Sequence, residues 1–146
     1  MTNESFLKTV RHGSMNDFVN IVEWFASKRG CSSIMLSALC YYSYVWGLVF
    51  CKREIAPFEF VKDEVGPIDK RIVNIFGYDE RILGWEEKPE LDTELERLLS
   101  LIWEKYSKYD AHYLMDRAKA HYPYVEAKEK LNAKDMYLFY TWAGLS

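Results

Sequence analysis

Three histidines, three cysteines and a dense run of acids are the residues of this 146-residue chain with the chemistry for a reaction or a metal. His12, His112 and His121 belong to no His-x-x-x-His or His-Glu-x-x-His pattern, the spacing that sets two ring nitrogens on one helical face for zinc. Asp110, His112 and Asp116 have the types of an acid–base group, but Asp110 reads as a helix cap and His112 with Asp116 as an i, i+4 surface pair. His121, beside Tyr122-Pro123, reads as a helix-end residue whose ring bonds the last carbonyls. No serine sits in a Gly-x-Ser-x-Gly elbow, and no glycine-rich loop is built to cradle phosphate. The sequence therefore offers no catalytic residue, no metal site and no cofactor site, and a non-enzyme is expected.

Cys31, Cys40 and Cys51 form no Cys-x-x-Cys pair, so they read as small hydrophobes of a reducing cytoplasm. Met1-Thr2-Asn3-Glu4-Ser5 carries an early acid and no apolar stretch of the kind an export signal needs, which points to the same compartment. Asp79, Glu80, Glu86, Glu87, Glu90, Asp92, Glu94 and Glu96 could face a basic partner or mimic phosphates. Their plainer reading is a solvated loop followed by a helix N-terminus, where acids are favoured by the dipole. Lys105, Lys108, Arg117, Lys119, Lys128 and Lys130 read as the solvent side of helices. With a net charge of −3, nucleic-acid binding is not expected, because phosphate contacts require a basic face.

The elements that carry these residues are mostly helical. From Gly30 to Cys51 there is no formal charge, and the centre reads Leu39-Cys40-Tyr41-Tyr42-Ser43-Tyr44-Val45-Trp46-Gly47-Leu48. About 20 apolar residues can cross a bilayer, but tyrosine and tryptophan in membrane helices favour the interfaces, not the midplane. A buried core helix with partners for its polar atoms is expected, and no membrane span. Upstream, Ser14-x-x-Asp17 is a capping-box start, with Phe18, Ile21, Val22 and Phe25 on one face and Gly30 as the stop.

Phe58-Glu59-Phe60-Val61 suggests a short extended piece that could pair into a small hairpin, and Gly66-Pro67 marks a turn. Pro67 is expected at the first position of a helix reaching Phe76, with Gly77 as its C-terminal stop. The segment from Tyr78 to Pro89 is expected to be the least ordered of the interior. Leu95, Leu98, Leu99, Ile102, Trp103 and Tyr106 form an apolar stripe. Asp110 caps a helix over 111–120, Pro123 interrupts it, a short helix is expected over 125–131, and Asn132-x-x-Asp135 opens a last helix through Trp142, ended by Gly144. The expected fold is all-α, or mainly α with a small β-hairpin: a single domain over 1–146 with six or seven helices bundled around the central apolar one. With 49% hydrophobic and 28% charged residues, the composition fits one globular domain.

Leu39-x-Tyr41-Tyr42-x-x-x-Trp46-x-Leu48, an acidic and aromatic stretch, and Gly66-Pro67-Ile68 follow one another in an order that resembles the Panacea family of phage and bacterial proteins, the SocA-like and GepA-like antitoxins. A second block resembles it too: Leu91 to Tyr106, Tyr109-Asp110-Ala111, Leu114 and Tyr122-Pro123-Tyr124, so that about residues 15 to 130 are covered. The chain departs from the family pattern with Lys62 and Asp63 before the turn, Val73 in the next helix and Tyr124 after the late proline. The resemblance implies a helical protein-binding domain that neutralises a cognate toxin by direct contact or, as in SocA-like members, delivers it to a Clp-type protease. The expected partner surface is the segment from Phe58 to Arg71. There Phe58 would be the apolar anchor and Glu64 and Asp69 the polar contacts, with Gly66, Pro67 and Arg71 among the partner-binding residues. An alternative is a phage-encoded inhibitor or modulator of a host defence or regulatory protein, acting through the acidic stretch from Asp79 to Glu96.

Overall fold

The structure, a computed structural model, describes residues 1–145. Side-chain caps decide where most helices start. In α1 (Asn3–Leu7) the Thr2 hydroxyl accepts from the Ser5 amide. After the two-residue strand β1 (Arg11–His12), α2 (Met15–Ala26) opens on a complete capping box in which Ser14 and Asp17 satisfy each other's backbone amides. Ser32 caps α3 (Ser33–Cys51), which ends on Lys52 at φ 49°, and β2 (Arg53–Glu54) then pairs in parallel with β1.

Next comes an antiparallel hairpin of β3 (Phe60–Asp63) and β4 (Gly66–Asp69), with Phe60 opposite Asp69 and Asp63 opposite Gly66. Asp69 caps α4 (Lys70–Phe76). No regular element follows until Asp92 caps α5 (Thr93–Tyr106). Asp110 caps α6 (Ala111–Ala120), α7 (Tyr122–Glu126) carries its proline in the first turn, and Asn132 caps α8 (Ala133–Ala143). Among the described residues the fold is mainly α, with eight helices and two two-stranded sheets.

Three sequence expectations are corrected. Pro67 does not start a helix but lies in β4 opposite Lys62, and the helix begins three residues later behind Asp69. The outer edge of β3 is partnered as well, since Lys62 donates to the Glu129 carbonyl and the Leu131 amide donates to Phe60. The break expected near Pro123 is found after Ala120, but the short helix α7 begins at Tyr122, with Pro123 in the first turn that proline tolerates, and ends at Glu126, not near Leu131. The count exceeds six or seven because α1, five residues long, lacks a readable amphipathic period.

Every residue from Ser33 to Leu48 is buried, and α3 packs against α2, α4, α5, α6, α8 and the strands β2 and β4. This helix is long and apolar enough to cross a membrane by length and composition, yet 83% of its most apolar window is covered by the rest of the chain. Its aromatics that carry a polar atom stay inside because each finds a partner. Tyr41 shares a hydrogen bond with Tyr140 (3.0 Å), Tyr42 donates to the Leu114 carbonyl (2.8 Å), Tyr44 to Glu54 (2.6 Å), and Trp46 Nε1 to the Tyr106 hydroxyl (2.8 Å). An unpartnered polar group in such a place costs about 1–3 kcal/mol. These bonds reach four separate regions of the chain, so the aromatic helix also fixes its neighbours' register. Cys31 and Cys40 are fully buried beside it, and burial pushes the Cys31 thiol up to about 12 and Cys40 well above the ordinary range.

Candidate functional site

The segment from Phe58 to Arg71 is built around one carboxylate. Asp69 is 1% exposed; its Oδ1 accepts from the Arg71 backbone amide (2.9 Å) and Nε (3.1 Å). Its Oδ2 accepts from the Glu59 amide (2.9 Å) and from Arg71 Nη2 (2.7 Å). The same Nη2 donates to the Pro57 carbonyl at 2.7 Å, and the guanidinium lies 4.4 Å from the centre of the Phe18 ring. The Asp69 bond holds the Arg71 pKa above its ordinary value. Sequence places this pair two residues apart; folding makes it a clamp joining the approach to β3, the end of β4 and α2.

This geometry redistributes the expected partner surface. Phe58 is buried, stacked on Phe60 at 5.3 Å and packed against Phe18 at 4.9 Å, so it is a core residue and no apolar anchor is offered there. Gly66 and Pro67 are buried as well. Gly66 holds φ at +151°, and a Cβ at that position would stand 2.9 Å from the Met115 sulfur, so the residue is fixed by a close approach of β4 to α6. Asp69 is consumed by the clamp. Of the six residues singled out, Glu64 at the hairpin tip is exposed and Arg71 is partly so.

All eight acids from Asp79 to Glu96 are exposed, and four of them, Asp79, Glu80, Asp92 and Glu94, have side-chain partners. Asp92 and Glu94 bind Arg53, Glu94 also binds Arg11, and Asp79 holds the Ser33 hydroxyl and the Arg81 amide. These contacts keep Asp79 and Asp92 below the ordinary carboxylate range, through the Arg81 amide and the Arg53 side chain respectively. Glu86, Glu87 and Glu90 make no hydrogen bond or ion pair among the described residues. The stretch around them is nonetheless anchored. Leu83 donates to Cys31, Trp85 donates to the Ala26 carbonyl and through Nε1 to Glu23, and the Trp85 ring meets Phe76 edge-on.

Comparison with family models, curated proteins and solved structures gives no match.

The histidines part company with their expected roles. His12 sits between Glu54 and the Leu7 carbonyl, both at 2.8 Å, and the Glu54 bond raises its pKa. His112 approaches Glu80 at 3.8 Å, while Asp116 is not its ion-pair partner. His121 bonds the Tyr140 hydroxyl at 2.8 Å, not a helix-end carbonyl. Among the described residues no group of three or more His, Cys, Asp or Glu side chains is placed to hold a metal ion.

Sequence reasoning singles out no cavity, yet one of about 200 Å³ opens between α3, α5, α6 and α8, where Tyr42, Tyr106, Arg117, His121 and Tyr140 meet. Tyr42 and Trp46 were its nearest signal, as aromatics with a polar atom in an uncharged helix.

Proposed function

We propose that this chain is a cytoplasmic protein-binding domain of the antitoxin kind, which neutralises a cognate toxin by direct contact and acts by occlusion, not by chemistry. What supports the reading is that the blocks carrying the Panacea resemblance, far apart in sequence, pack on one another. Tyr42 of α3 stacks on Tyr106 of α5 at 4.5 Å and bonds Leu114 of α6, Tyr41 meets Phe60 of the hairpin edge-on, and Gly66 rests against Met115 of α6. That unit is the scaffold; the toxin contact belongs to the exposed tip at Glu64 and its flank at Arg71. A SocA-like route, with this domain as adaptor to a Clp-type protease, uses the same surface with a different outcome for the toxin.

The test is co-expression of the chain with the product of the gene beside its own. Relief of toxicity together with a purified complex is expected, with Glu64→Lys weakening both while leaving the unfolding midpoint unchanged. If the chain neither binds nor rescues any adjacent product, the proposal fails. Toxin levels separate the routes: unchanged in direct neutralisation, and lowered in a protease-dependent way by an adaptor.

A second reading is favoured by Glu86, Glu87 and Glu90, which are exposed and engaged by nothing else among the described residues. In it the chain inhibits or modulates a host defence or regulatory protein through a basic site. Binding would then fall steeply with salt, and Gln at all three positions would abolish it.

A further inference from the structure

We propose that the cavity between α3, α5, α6 and α8 is a binding site for a small aromatic carboxylate, with the carboxylate toward Arg117 and Lys105 and the ring among the tyrosines. This inference stands apart from the antitoxin reading, since it concerns a different face of the molecule and a small molecule instead of a protein.

The charge balance of the lining is one-sided. Lys105 and Arg117 contribute positive charge to it, and no carboxylate lines it. Neither Lys105 nor Arg117 has a hydrogen-bonding or ion-pair partner among the described residues; the contact of Arg117 is with the Tyr113 ring, at 5.7 Å. Arg117 is exposed and Lys105 half-buried, whereas the less exposed arginines Arg53 and Arg71 are paired, with Asp92 and Asp69. A guanidinium beside a partly enclosed cavity and without a counter-charge is suited to a carboxylate, whose two oxygens match its fork of donors. His121 feels the same imbalance, since burial first and Arg117 second lower its pKa. Its Nδ1 is engaged by Tyr140, and its other nitrogen is not bonded among the described residues.

The remaining walls suit a flat body. Tyr42 and Tyr106 are stacked at 4.5 Å with 18° between their planes, and Trp46, Tyr109 and Tyr140 complete the aromatic lining. The Tyr106 hydroxyl accepts from Trp46 and has no acceptor for its own hydrogen among the described residues, so a donor is left for the occupant. Size limits the class. At about 200 Å³ the cavity is several times a water's share of liquid volume, about 30 Å³. It is smaller than the roughly 300 Å³ at which sites for drug-sized ligands begin.

The experiment is calorimetric titration of the full chain at low salt with 4-hydroxybenzoate, beside 4-hydroxybenzyl alcohol as the neutral ring and inorganic phosphate as the anion without a ring. Saturable one-to-one binding of the benzoate is expected, with both comparators at least about tenfold weaker, a gap of about 1.4 kcal/mol. Arg117→Gln should weaken the benzoate about tenfold or more at an unchanged unfolding midpoint, and Lys108→Gln, outside the lining, should not. Lys105→Gln supplies the same comparison if the first variant is unstable. No saturation by about 10 mM, equal affinity for the alcohol or phosphate, or indifference to both cavity substitutions would each overturn the assignment.

Discussion

Asp69 and Asp92 perform the same local task in opposite surroundings. Each caps a helix by accepting from a backbone amide, at Arg71 and Leu95 respectively, and each meets an arginine side chain at 2.7–2.8 Å. At α4 the acid is buried, with a side chain 1% exposed, and its arginine is 37% exposed; at α5 the acid is 48% exposed and its arginine 11%. The two pairs differ in which member gave up its water. A buried carboxylate must have every lone pair answered by the protein, and Asp69 does so by tying Glu59 and Arg71 together. Asp92 keeps solvent as a partner, so its pair serves chiefly to hold Arg53 and thus to tie α5 to the β1–β2 ribbon.

Breaking each pair separately should separate the two cases. Asp69→Ala is expected to have the largest effect, a loss of about 3 kcal/mol in urea unfolding, because the Glu59 and Arg71 amides lose their acceptor inside the fold. Asp92→Ala should cost about 1–2 kcal/mol, mostly the lost cap, with a smaller share from the exposed pair. Acid titration sharpens the contrast. Because Arg53 lowers the folded pKa of Asp92 below 3.8, its contribution is present above that value and disappears as pH falls through the folded pKa. Asp92→Asn should therefore flatten the stability–pH curve below about pH 4.

Next door, His12 works with the reverse sign. Its pKa is raised above 6.5 by Glu54, so its contribution is full below that value and lost as pH rises through the folded pKa. Half exposed, it should be worth less than about 1 kcal/mol, seen as a pH 6 versus pH 8 difference that His12→Gln removes. Arg11→Ala, at a pair 61% and 42% exposed, should change stability by no more than about 0.5 kcal/mol, an effect erased by added salt.

The caps were readable because a cap is a local event. Ser14 with Asp17, Asp110 and Asn132 announce helix starts within three residues, and α2, α6 and α8 begin behind them. Pro67 misled because its fixed φ suits an extended strand as well as a first helical turn, and the choice rested with Lys62 across the hairpin and with the close approach of Gly66 to Met115 of α6. The expected partner segment failed at Phe58 for a related reason. An exposed hydrophobic anchor and a core ring are the same letter in a sequence, and Phe18, Tyr44 and Phe60 decide between them. The cavity was the least legible feature, since its lining comes from four helices and no local spacing brings Tyr42, Tyr106, Arg117 and Tyr140 together.

Cys31 and Cys40 turn the fold into its own clock. Both thiols are fully buried and held protonated, whereas Cys51 at the end of α3 is partly exposed. An alkylating reagent should consume Cys51 first, and the later, slower labelling would then count openings of the α2–α3 junction without any engineered reporter.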